Sequence, residues 1–114
     1  MRHKESKLQQ MCVKYFRYRY PDEIIFSIPN GGNRNAITGA LLKKEGVLPG
    51  VPDLFIAKGN SKYHGMFIEM KYGTNTLTEE QRKVQKKLKE KNYLVEICYS
   101  LDEFISAVDK YMSL

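Results

Sequence analysis

The sequence predicts an α/β fold, a small mixed β-sheet flanked by helices. Three observations predict it. Apolar residues recur at helical spacing near both ends of the chain and over residues 78–91. Short β-favouring runs bounded by Pro, Gly and Asn lie between those stretches. Thr78 with Gln81, and Ser100 with Glu103, are capping-box signatures that each mark a helix start. The expected order is α-β-(α)-β-β-α-β-α, packed as one domain over residues 1–114.

The elements follow in order. Leu8, Met11, Cys12, Tyr15 and Phe16 form one stripe of an amphipathic helix, which Pro21 ends. Glu5 and Gln9 are polar residues on or beside that stripe. Residues 24–28 read as a strand, closed by Pro29 and the turn residues Asn30, Gly31, Gly32 and Asn33. Residues 35–45 suit a short helix with Gly46 as its cap. The rigid stretch from Pro49 to Pro52 leads into a strand over residues 53–57, and a polar hairpin loop over 58–65 leads to a strand over 66–71. A helix follows from Thr78 to about Lys91, with Leu77, Val84 and Leu88 toward the core. A strand over 93–99 and a helix carrying Phe104, Ile105, Val108 and Met112 complete the chain.

Composition narrows the function classes. At 114 residues and 42% hydrophobic content, the chain can build a core and is not a disordered tail. No apolar run approaches the ~20 residues of a membrane span, and no apolar segment follows the basic N-terminus as in a secretory signal. Two cysteines, Cys12 and Cys98, fit buried free thiols better than a disulfide scaffold. A cytoplasmic protein without membrane association is expected. The formal charge is +6, concentrated in Arg2, Lys4, Lys7, Lys14, Arg17 and Arg19 and again over residues 82–91, with acids in the last segment. This layout predicts one positive face suited to a polyanion.

Acids stand where strands should be apolar. Asp53 begins one strand, and Glu69 interrupts another with Lys71 two positions on. Residues i and i+2 of a strand share a face, so Glu69 and Lys71 project together, and a hairpin brings Asp53 near Glu69. Charges placed there have no stability rationale. Paired carboxylates suit a hard divalent cation such as Mg²⁺ or Mn²⁺. A lysine beside it can orient a water or hold a phosphate oxygen, which outlines phosphodiester hydrolysis.

Asp53 after Pro52, then Glu69-Met70-Lys71, resembles the PD-(D/E)xK nuclease signature. Together with residues 29–34, 50–54 and 77–81, the pattern resembles the virus-type replication-repair nuclease (VRR-NUC) family, in its minimal stand-alone form of bacteriophages and bacteria. The resemblance implies a restriction-endonuclease-like core. It implies Asp53 and Glu69 as metal-binding carboxylates, the Met70 backbone carbonyl as a further ligand and Lys71 as the catalytic lysine. Glu5 matches the family's helix-borne acid, and Gln81 the glutamine on the helix after the strand; first-turn and capping roles also account for these two.

Asn30, Gly31, Gly32 and Arg34 form a candidate phosphate-contacting loop, extended by Lys43 and Lys44, and Arg82 and Lys86 are candidates on the basic helix. The resemblance implies a metal-dependent DNA endonuclease, without an organic cofactor, acting on branched DNA such as Holliday junctions in repair, as a homodimer. The alternatives are a sequence-reading restriction-type enzyme and a non-catalytic nucleic-acid-binding domain of the same fold.

Overall fold

The structure is a computed structural model that describes residues 2–29 and 36–114. Helix α1 (Arg2–Arg19) leads into strand β1 (Ile25–Ser27); α2 (Ala36–Lys44), β2 (Leu54–Ile56) and β3 (Met66–Met70) follow, then α3 (Glu79–Glu90), β4 (Leu94–Cys98) and α4 (Leu101–Met112). The strands form one mixed sheet in the order β1-β2-β3-β4. The first two pairings are antiparallel, whereas β3 and β4 run parallel. That parallel pair requires a crossover, which α3 supplies.

Side-chain alternation divides the sheet into two unlike faces. On one face Ile25, Leu54, Ile56, Met66, Ile68, Met70 and Cys98 join Cys12 and Phe16 of α1 and Phe104, Val108 and Tyr111 of α4 in the buried core. Asp109 of α4 ties the two helices by accepting from the Tyr15 and Tyr20 hydroxyls, at 2.9 and 2.6 Å. The opposite face carries Phe26, Phe55 and Phe67 in register, with ring centroids 5.7 and 4.5 Å apart. Glu69 shares that face two residues beyond Phe67, under α3.

Several expectations need correction. The strands are shorter than the β-favouring runs: β1 omits Ile24 and Ile28, and β2 omits Asp53 and Ala57. Met11 is 51% exposed, because the buried stripe of α1 centres on Cys12 and Phe16. In α3 the buried residue is Gln85, while Leu77, Val84 and Leu88 are half-buried. The box at Thr78 and Gln81 is complete. At α4, by contrast, Ser100 accepts from the Glu103 N–H, while the Glu103 carboxylate turns to the Tyr99 N–H one residue before the cap. The basic helices also do not build one positive face. Helix α1 packs on the core side of the sheet and α3 reaches Glu69 on the other, so the positive charge is divided.

Candidate active site

The β2–β3 register pairs Leu54 with Ile68, and continuing it by one residue sets Asp53 across from Glu69. Asp53 Oδ2 accepts the Met70 N–H at 2.7 Å, which fixes the carboxylate at the end of the ladder. A further step sets Met70 against Pro52. Proline has no N–H to donate, so the Met70 carbonyl meets no ladder donor there.

Glu69 is 2% exposed. Its Oε2 accepts from Gln81 Nε2 at 3.3 Å, while its Oε1 is buried without a hydrogen-bond partner. Burial first, and the neighbouring Asp53 charge second, push its pKa up to about 9. Lys71 is buried beside it and donates its ammonium to Gln81 Oε1 at 2.9 Å. The same oxygen accepts the Thr78 N–H at 2.9 Å, and Thr78 Oγ1 accepts the Gln81 N–H at 3.1 Å. Lysine can only donate, so the amide atom facing it must be the oxygen, which leaves the NH₂ for Glu69. Gln81 is therefore both a cap and a clamp joining Glu69 to Lys71.

Gly50 seats this clamp. It has φ +94°, and a Cβ there would lie 2.7 Å from the Glu80 carbonyl oxygen in the first turn of α3. Only glycine combines that backbone with that approach. The stretch entering Asp53 is thus pressed against the turn that carries Gln81.

Glu5 comes to the same end of the sheet from α1. Its Oε2 accepts from Asn75 Nδ2 at 3.3 Å, and its charge adds a minor upward push on the Glu69 pKa. The Asn75 carbonyl in turn accepts the Tyr99 hydroxyl at 2.6 Å. Sequence reasoning missed Asn75 and Tyr99, which buttress Glu5. Asn75 reads only as a turn residue after Gly73, and Tyr99 as a strand end.

The donor set fits a hard divalent cation: facing carboxylates, a buried carboxylate oxygen lacking a partner, and a carbonyl without a ladder donor. Among the described residues no three His, Cys, Asp or Glu side chains are gathered in a group that could hold a metal ion. Two carboxylates suit Mg²⁺, which usually keeps several waters. Lys43, Lys44, Arg82 and Lys86 are exposed, the first two closing α2 and the others on α3. Asn30, Gly31, Gly32 and Arg34 lie outside the described residues.

A small mixed sheet between helices, with this topology, is a nuclease-type fold. Residues 2–102 match the model of the VRR-NUC domain, and the chain belongs to that family. A solved structure described as a VRR_NUC domain protein is similar to it, with a TM-score of 0.80 and 25% identity over 96% of this chain and 88% of the other. No curated protein matches the chain. Membership implies a nuclease-type function, with DNA as substrate and a divalent metal as cofactor. Among the described residues, no helix is long and apolar enough to cross a membrane.

Proposed function

We propose that the chain is a Mg²⁺- or Mn²⁺-dependent endonuclease that hydrolyses phosphodiester bonds in branched DNA. The observation that carries this reading is Glu69: a carboxylate buried against Asp53, with one oxygen that no N–H of the described residues reaches. Asp53, Glu69 and the Met70 carbonyl would hold the cation. When bound, it would polarise a phosphate oxygen and acidify a water. Lys71, aimed by Gln81, steadies negative charge developing at the phosphate. Glu5, seated on Asn75, closes the site from α1 and orders water there. The products expected are 5′-phosphate and 3′-hydroxyl ends.

Branched DNA is favoured because selection by shape needs no base-reading module. Symmetric cleavage of a four-way junction needs paired active sites, which a C₂ homodimer supplies. Exposed apolar residues on and after α2, Ile37, Leu41 and Leu48, support such an assembly. The test compares four-way junctions, flaps, single strands and linear duplex, each with Mg²⁺, Mn²⁺ or EDTA. Metal-dependent cutting of the branched substrates is expected. Discrete cutting of unbranched DNA at fixed sequences would assign the restriction-type reading, and binding without cutting the non-catalytic one.

A further inference from the structure

A groove of about 500 Å³ lies between α1 and β1. Gln9, Gln10, Lys14 and Arg17 line it from the helix, and Phe26 and Ser27 from the strand. It adjoins the candidate site at both walls. Gln9 is one helical turn beyond Glu5, and Ser27 precedes Ile28, whose N–H donates to the Asp53 carbonyl at 2.8 Å.

The walls carry complementary chemistry. Gln10, Lys14 and Arg17 stand at i, i+4 and i+7, on one side of α1. Arg17 uses Nη2 to cap the Ile25 carbonyl on the outer edge of β1, at 3.1 Å, so its guanidinium is anchored at the groove. The remaining N–H groups of that planar fork are available to an anion. Phe26 is 44% exposed and lines the groove, although its ring also meets Phe55 edge-on. Cations, amides and an exposed aromatic in one channel match the needs of a nucleotide: phosphate, base edge and base face.

We propose that the α1–β1 groove binds unpaired nucleotides adjoining the scissile phosphate. The inference rests on the DNA-cleaving reading for its substrate, and it adds that nucleotides beside the cut are held unpaired at the branch. It also assigns a use to Gln9, whose place beside the buried stripe of α1 serves neither core nor catalysis.

The test is fluorescence anisotropy in EDTA, where no cleavage occurs. A labelled oligothymidine and a blunt duplex of equal length are titrated with the wild-type chain and with Lys14→Glu, Phe26→Leu and Lys62→Glu. Circular dichroism checks that each variant is folded. Lys14→Glu should weaken single-strand binding about tenfold, with less than about a twofold change for duplex. Phe26→Leu should weaken single-strand binding several-fold, and Lys62→Glu, exposed in the β2–β3 loop at the far end of the hairpin from Asp53, should leave it intact. Equal losses for Lys14→Glu and Lys62→Glu would reduce the effect to net charge and overturn the proposal. Unchanged single-strand binding in Lys14→Glu and Phe26→Leu would overturn it too. So would protection of the β1 edge from hydrogen exchange without DNA, which would give the groove to a protein strand. The readout needs no cleavage, so a failed nuclease assay and a failed groove are separate results.

Discussion

Glu69 is held in an environment hostile to its own charge. Its folded pKa lies near 9, above the ordinary carboxylate value of 4.5, because burial and Asp53 favour the protonated form. A raised carboxylate pKa stabilises the fold fully below the unfolded value, and that contribution is lost as pH rises toward the folded one. Metal-free protein should therefore lose thermal stability as pH rises from about 5 to about 9, and Glu69→Gln should flatten that decline. Melting curves in EDTA across this range check it. Added Mn²⁺ should restore stability to the wild type at the alkaline end by binding the folded state. Gln81 separates capping from clamping. Gln81→Glu keeps a side chain suited to the box, so melting should change little, while the Lys71 contact becomes an ion pair and the Glu69 contact loses its donor. Activity should fall at least tenfold, a rise of about 1.4 kcal/mol or more in the barrier. Gln81→Ala should lose both, with about 1 kcal/mol of cap stability gone as well. The candidate acids were legible because each breaks a local rule, standing at the end or in the middle of an apolar run, whereas Gln81 obeys the capping-box rule and was singled out through the family resemblance. Asn75 and Tyr99 break none, so only the fold reveals their link to Glu5.

The elements were legible to the extent that periodicity specifies them. Strand pairing across the hairpin followed from the loop between β2 and β3, and it carried Asp53 to Glu69. Ladder ends were less legible, because Asp53 leaves the strand to bond the Met70 N–H with its side chain. Helical stripes misled where a polar residue is buried: Gln85 takes the position expected of Val84 or Leu88. Gly50 could be read from sequence as a turn residue but not as a contact. Its closeness to Glu80 appears only when the loop before β2 meets α3. Gly50→Ala should therefore act on the site from a distance, forcing the backbone out of its positive φ and lifting the loop from the turn that bears Gln81. A drop in melting temperature together with lost cleavage is expected. Wild-type cleavage in a folded Gly50→Ala protein would show that this contact does not position the clamp.

For the whole molecule, the +6 charge is divided rather than gathered. Helix α1 and helix α3 carry it on opposite sides of a sheet whose end, on β2 and β3, holds the carboxylates. A substrate reaching both helices would have to pass over that end of the sheet, as the proposed branched DNA would by bending there. Sequence alone counted the charges but could not assign them to faces, since that depends on which side of the sheet each helix crosses. The proposed homodimer belongs to this scale: sedimentation should find two copies, and Leu41→Glu should return the chain to a monomer while its fold is kept. The central claim is that Asp53 and Glu69 hold the cation for phosphodiester hydrolysis. It is tested most directly by the rate of Mn²⁺-dependent DNA cleavage in wild type and Asp53→Asn, two proteins of nearly equal shape. Wild type should cut and lose all activity in EDTA, while Asp53→Asn should fall by about 10²-fold or more. Cleavage by Asp53→Asn at the wild-type rate would contradict the account.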